Sequence, residues 1–76
     1  MKTVLANLPS VEKVKEFCTK IFPLEGDFDL GTGRYIVDAR SIMGIFSLDL
    51  SKPLSLTIHA DNAEEIAASL NEFIVK

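Results

Sequence analysis

The sequence predicts an α+β fold: a four-stranded antiparallel sheet covered by helices on one face only, an open-faced sandwich with the element order βαββαβα. Polar and apolar residues alternate over Asp27–Leu30 and Leu54–Ala60, which is the period of half-buried strands. Over Val11–Ile21 and again near the end of the chain, apolar residues recur every three or four positions, as in amphipathic helices. In this order the helices must all cover the same face of the sheet.

The first two elements are a short strand at Thr3–Asn7, ended by Pro9, and a helix opened by Ser10 as its N-cap. Pro23 ends that helix. The predicted buried stripe consists of Val11, Val14, Phe17, Cys18 and Ile21. Since Cys18 lies on this stripe, we interpret it as core packing rather than as a reactive thiol.

The next two strands, Asp27–Leu30 and Tyr35–Asp38, are predicted to form a hairpin around residues 31–34. Gly31 and Gly33 give this turn access to positive φ. They do not predict a phosphate-binding loop, because the later glycine of that pattern is missing and a strand follows. The carboxylates along these strands are expected to be solvated: Asp27, Asp29 and Asp38.

The stretch Ala39–Leu50 is the most unusual, because no charge interrupts it from Ser41 to Leu48. Ser41 is a good N-cap, and Gly44 weakens a helix by roughly 1 kcal/mol relative to Ala, so we expect a helix of one or two turns. So short and apolar a helix leaves Met43 and Phe46 partly outward, which favours a docking surface.

The chain ends with a strand, Leu54–Ala60, and a helix. Asn62 and Glu65 have the spacing of a capping box at the start of this helix. Its predicted buried stripe consists of Ile66, Leu70, Phe73 and Ile74.

Composition limits the class of protein. The 76 residues make one domain, residues 1–76, and 47% hydrophobic content supplies a core without a metal or a disulfide. The single cysteine and the lack of a signal or transmembrane segment predict a soluble, cytoplasmic protein, and the net charge is −3. The acidic balance argues against nucleic acid or an anionic membrane as a partner.

One segment resembles a known family. SIMGIFSL, residues 41–48, is similar to the SIMGVMSL segment of HPr, the small phosphocarrier of the bacterial sugar phosphotransferase system. The likeness continues upstream through DFDL, the glycine turn and Tyr35–Asp38, and downstream through LDLSKPLSLTIHAD. It covers Asp27–Asp61 well and the rest more loosely, and it implies the HPr-like fold for the chain.

The phosphate-accepting motif of that family is missing. HPr proteins carry Gly-Ile-His-Ala-Arg-Pro at the start of the first helix, where Asn7–Glu12 has neither His nor Arg. In this the chain resembles the catabolite-repression HPr homologues, which lack the active-site histidine and keep the serine. The resemblance implies a non-enzymatic regulatory or adaptor protein, and no cofactor and no metal are expected.

The resemblance also implies a site. The serine that matches Ser41 is phosphorylated by a dedicated HPr kinase/phosphorylase in Gram-positive HPr proteins, and the modified form binds a transcriptional regulator. A phosphate on Ser41 would meet the positive end of the helix, with Arg40 alongside. The expected partner-binding residues are Arg40, Ile42, Met43 and Phe46.

Two other interpretations stay open. One is a phosphocarrier with an unorthodox acceptor, for which His59, the one histidine, is the candidate. On the strand pattern it shares a solvent-facing side with Ser55 and Thr57, without a helix N-terminus to hold the anion. The other is an HPr-fold interaction module unrelated to sugar transport, whose central helix packs a homodimer or another protein. The sequence leaves the partner, the regulated pathway and the oligomeric state open.

Overall fold

The computed structural model describes residues 1–75, and its elements follow the predicted order. They are β1 (Lys2–Ala6), α1 (Val11–Ile21), β2 (Asp27–Thr32), β3 (Tyr35–Asp38), α2 (Ile42–Phe46), β4 (Leu54–His59) and α3 (Ala63–Ser69), followed by a 3₁₀ turn at Asn71–Phe73. The predicted βαββαβα order is therefore confirmed. The first strand begins and ends one residue earlier than predicted, and the last ends one residue earlier.

The four strands form one antiparallel sheet in the order β1-β4-β2-β3. The face toward the helices carries apolar side chains that are fully or almost fully buried: Phe28, Leu30, Leu54, Leu56 and Ile58. The alternate positions Ser55 and His59 are exposed. Since one face is dry and the other wet, the open-faced α+β sandwich predicted from the period-two pattern is confirmed.

The helix α1 supplies one large part of the core through Val14, Phe17 and Ile21. The Phe17 ring meets the Phe73 ring edge-to-face, with 5.4 Å between centroids and an interplanar angle of 88°. The predicted stripe is wrong at its first member, because Val11 is 55% exposed and burial begins one turn later.

Cys18 packs against this core but is only partly buried. Its thiol is 3.9 Å from the Ala39 carbonyl oxygen. Burial raises the pKa of the thiol above its ordinary value, because a thiolate is poorly solvated there. The environment therefore favours the neutral, weakly nucleophilic form.

The β2–β3 hairpin is tighter than predicted. The strand β2 continues through Thr32, so the turn is Gly33-Arg34, with Gly33 at φ 57° as a type II′ turn requires at its first central position. Gly31 lies within the strand, and a Cβ there would be 2.9 Å from the Tyr35 carbonyl oxygen and 3.1 Å from Ile36 Cγ1. Its role is close packing rather than turn geometry.

The last helix also differs from the prediction. Asn62 is the N-cap of α3, but its side chain makes no capping hydrogen bond, so the predicted capping box is not formed. The helix ends at Ser69, and the predicted stripe continues through the 3₁₀ turn into extended chain. Here backbone pairing competes with the helix: the Phe73 carbonyl accepts from the Asn7 N–H at 2.7 Å, and Ile74 forms a bridge with Ala6.

None of the helices in residues 1–75 is both long enough and apolar enough to cross a membrane.

Candidate functional site

The predicted site is built on the tight connection from β3 to α2. The Ser41 N–H donates to the Asp38 carbonyl at 2.9 Å, which turns the chain directly after the strand. The exposed Ser41 side chain then caps α2, its Oγ accepting from the Gly44 N–H at 3.2 Å. The N-cap predicted from sequence is confirmed, and its hydroxyl is at the protein surface.

The side chains of α2 divide between core and solvent. Ile45 is fully buried, and Leu48 just after the helix is 7% exposed. Met43 is 79% exposed and Phe46 is 38% exposed, so the outward position predicted for both is confirmed. Ile42 is half-buried against the core and offers a partner less surface than they do.

Gly44 explains how so short a helix stays close to the sheet. A Cβ at this position would lie 3.2 Å from both Ser41 Oγ and Val37 Cβ. The missing side chain therefore leaves room for the capping serine on one side and for β3 on the other. The sequence showed only the helix-weakening effect of this glycine, since the contact with Val37 arises only when α2 packs against β3.

Arg40 is engaged away from Ser41. Its Nη1 donates to the Gly26 carbonyl at 2.8 Å, and its Nη2 donates to the Leu24 carbonyl. The guanidinium carbon lies 4.9 Å from the centroid of the Phe28 ring. The expectation that Arg40 stands alongside a phosphate on Ser41 thus needs correction, because the guanidinium instead ties the start of α2 to the loop before β2. Its role in partner binding stays a prediction.

The start of α1, where HPr proteins carry their phosphate-accepting motif, is an ordinary capped helix end here. Ser10 Oγ accepts from the Lys13 N–H at 3.2 Å, and Glu12 provides a negative charge in the first turn. Leu8 is fully buried. This end of α1 thus combines a hydroxyl used as a cap with a carboxylate that disfavours a bound anion.

His59 lies on the wet face of the sheet, as predicted. Its Nε2 is 3.0 Å from Asp29 Oδ2, and both side chains are near 40% exposed, at 39% and 42%. The strand pattern predicted a solvated Asp29 and did not indicate this pair. The antiparallel register of β2 and β4, which only the folded sheet fixes, sets Asp27 opposite His59 and so brings Asp29, two residues on, to the diagonal position on the same face.

No group of three or more His, Cys, Asp or Glu side chains in residues 1–75 is arranged to hold a metal ion. The chemistry available at α2 is that of an exposed hydroxyl beside exposed apolar side chains.

Comparison with protein-family models gives no match, and comparison with curated proteins gives none either. Two solved structures do match. The structure of HPr-C-His from Thermoanaerobacter tengcongensis aligns with a TM-score of 0.79 and 24% identity, covering 95% of this chain and 89% of that one. The phosphocarrier protein HPr from Bacillus anthracis strain Ames aligns with a TM-score of 0.74 and 23% identity, covering 97% of this chain and 94% of that one.

These alignments span nearly the whole of all three chains, while the identities stay below a quarter. What they share with this chain is therefore the architecture. The protein has the open-faced α+β fold of the HPr phosphocarriers, as the SIMGIFSL segment and the strand pattern implied.

Proposed function

We propose that this protein is an HPr-like regulatory or adaptor protein of the cytoplasm that does not carry phosphate on a histidine. It acts by docking protein partners on α2, and Ser41 is its regulatory phosphorylation site. The partners that the resemblance implies are an HPr kinase/phosphorylase and a transcriptional regulator.

The observation that carries this proposal is the exposure of Met43. A methionine that is 79% exposed, two residues after an exposed capping serine, is a flexible apolar contact beside a modifiable hydroxyl. Phe46 adds apolar surface one turn later on the same short helix. Methionine and aromatic residues are enriched in protein interfaces, so a protein partner fits this surface better than a small molecule does.

The start of α1 also supports the proposal, because its residues do not suit a phosphohistidine. A phosphohistidine carrier needs its acceptor where a helix N-terminus can hold the anion. This chain has Ser10 there as a cap and Glu12 in the first turn. The lone histidine lies on β4, on the face of the sheet away from the helices.

Phosphorylation would form a bond between Ser41 Oγ and the γ-phosphorus of ATP, break the bond from that phosphorus to the bridging oxygen, and release ADP and the hydroxyl proton. The added charge of about −1.5 to −2 would lie at the start of α2, beside Ile42 and Met43. Because Ser41 is already outside the helix and exposed, the modification requires no refolding. It changes the charge of the surface that a partner meets.

The test is incubation with a Gram-positive HPr kinase and ATP, followed by mass measurement of the intact protein. Wild type should gain one phosphate and Ser41→Ala none. Ser10→Ala is the matched control, because Ser10 caps α1 by an equivalent hydrogen bond and should leave the phosphate in place. An unmodified wild type contradicts the proposed phosphorylation, and phosphate on Ser41→Ala assigns it to another residue.

One observation favours the carrier alternative, namely the pairing of His59 with Asp29, since a carboxylate can orient an imidazole. We expect this pair to fail as an acceptor because it has no helix N-terminus to hold a phosphoryl group. Incubation with enzyme I and phosphoenolpyruvate should leave the protein unmodified. An acid-labile phosphate that disappears in His59→Ala would instead establish the carrier function.

A further inference from the structure

The two edges of the sheet are protected differently. At the β1 edge, the Val75 N–H donates to the Leu5 carbonyl at 2.8 Å, and Ile74 forms a bridge with Ala6. At the other edge, β3 pairs with β2 on one side, and no strand within residues 1–75 pairs with it on the other. An unpaired edge presents N–H and C=O groups to any strand that can align with it.

The register identifies the groups that β3 presents. Thr32 and Tyr35 close the two-residue turn and so form a hydrogen-bonded pair, and the Ala39 N–H bonds to the Phe28 carbonyl at 2.8 Å in the same phase of the ladder. Hydrogen-bonded and non-hydrogen-bonded pairs alternate along an antiparallel ladder, so the pair next to Thr32 and Tyr35, which is Gly31 and Ile36, is of the non-hydrogen-bonded kind. The Ile36 N–H and C=O therefore point away from β2.

The side chains along this edge are large, apolar and exposed. Ile36 is 71% exposed and Tyr35 is 74% exposed. They project to opposite faces of the sheet, because successive residues of a strand alternate. A strand added at this edge would cover apolar surface on both faces at once.

The charges at the two ends of β3 indicate which strand could pair with this edge. Arg34 precedes the strand and Asp38 ends it, and both are exposed. If a second copy of β3 lies antiparallel with its Ile36 opposite Ile36, each Arg34 faces an Asp38 of the other copy. A parallel arrangement would instead set like charges together. The edge is thus complementary to itself in charge, in apolar surface and in free backbone groups.

We propose that β3 is a dimerisation edge. Two copies pair their β3 strands antiparallel about a two-fold axis at Ile36, which joins the two four-stranded sheets into one. Such a contact is isologous and closes on itself, so it ends at the dimer. Because β3 has only four residues, we expect a weak dimer, with a dissociation constant between about 10 µM and 1 mM.

The experiment is sedimentation equilibrium over that concentration range on wild type, Arg34→Glu, Asp38→Lys and an equimolar mixture of the two variants. Each variant alone sets two like-charge pairs at the interface and should weaken the dimer by about tenfold or more. In the mixture, the introduced Glu faces the introduced Lys while the native Asp38 faces the native Arg34. Dimerisation should therefore return toward the wild-type constant.

Lys52→Glu is the control for net charge, because it makes the same change as Arg34→Glu in the loop before β4, and it should leave the dimer unchanged. Asp38 Oδ1 also accepts from the Arg40 N–H at 2.9 Å, so Asp38→Lys can disturb folding. Asp38→Asn keeps that acceptor, removes the charge, and should weaken the dimer by about threefold.

Three results would overturn the proposal: a wild type that stays monomeric at about 1 mM, variants that dimerise like wild type, or a mixture that stays monomeric when both variants are folded. A dimer weakened by Met43→Gln instead would assign the contact to α2. None of these outcomes bears on phosphorylation of Ser41, so the two proposals are tested separately.

Discussion

The helices α1 and α2 begin in the same way and then serve different purposes. Each is preceded by a serine whose Oγ accepts a backbone N–H three residues on, at 3.2 Å in both cases. The first runs for 11 residues and buries Val14, Phe17 and Ile21, whereas the second runs for five and buries only Ile45. The same capping hydrogen bond therefore starts one helix that packs into the core and another that is largely exposed to solvent.

The difference shows that a cap determines where a helix begins but not what the helix does. Whether a helix belongs to the core or presents its surface to solvent depends on how much of its apolar surface packs against the sheet. A helix of five residues would be marginal alone, so α2 depends on Ile45, on Leu48 and on the close approach that Gly44 allows. The surface left over, at Met43 and Phe46, is available to a partner.

The largest expected change in the free energy of unfolding comes from truncating a buried side chain of α1. Phe17→Ala should lower the free energy of unfolding by about 3–5 kcal/mol, because it removes a fully buried ring and its contact with Phe73. Chemical denaturation measures the change. Met43→Ala is the matched truncation in α2 and should change stability by no more than about 0.5 kcal/mol.

The second prediction compares the two caps. Ser10→Ala should cost about 1 kcal/mol of unfolding free energy, since it leaves the Lys13 N–H without its partner. Ser41→Ala should cost no more than this, because α2 has fewer helical hydrogen bonds that depend on its cap. Denaturation midpoints of both variants decide the order, and a much larger loss at Ser41 would contradict the view of α2 as a displayed surface.

The third prediction tests that display directly. Replacing Met43 and Phe46 together by glutamine should leave the fold intact and change stability by within about 1 kcal/mol, most of it from the less exposed Phe46. Ile45→Ala in the same helix is the contrast and should cost about 2–5 kcal/mol. Equal losses of stability in the double glutamine variant and in Ile45→Ala would show that α2 is wholly a core element.

The smallest effect concerns charge at the start of α2. Ser41→Asp should change stability by no more than about 0.5 kcal/mol, because aspartate is also a good N-cap and its charge suits a helix N-terminus. The phosphorylated protein should likewise be no less stable than the unmodified one. Thermal unfolding compares the unmodified protein, the phosphorylated protein and Ser41→Asp. A large loss of stability in the phosphorylated protein or in Ser41→Asp would mean that the cap geometry excludes an added charge.

Some positions were predictable because a local rule acts on them alone. The alternation in Leu54–His59 follows from burying one face of a strand, and the serine caps follow from unpaired N–H groups at helix starts. Other positions depended on distant neighbours. The predicted capping box at Asn62 did not form, and the chain after Ser69 leaves the helix to pair with Leu5 and Ala6. Continuing the helix after Ser69 competes with pairing to β1, a segment far away in the sequence, so no local pattern could predict the outcome.

The candidate site divides along the same line. The sequence by itself determined the capping serine, the outward positions of Met43 and Phe46, and the absence of histidine at the start of α1. Only the tertiary structure decided that Arg40 binds the carbonyls of Leu24 and Gly26, that His59 pairs with Asp29, and that β3 is the sheet edge with no further strand among residues 1–75. The physical reason is range: capping and amphipathic period act within a few residues, whereas these contacts require strands and loops that meet only when the sheet assembles.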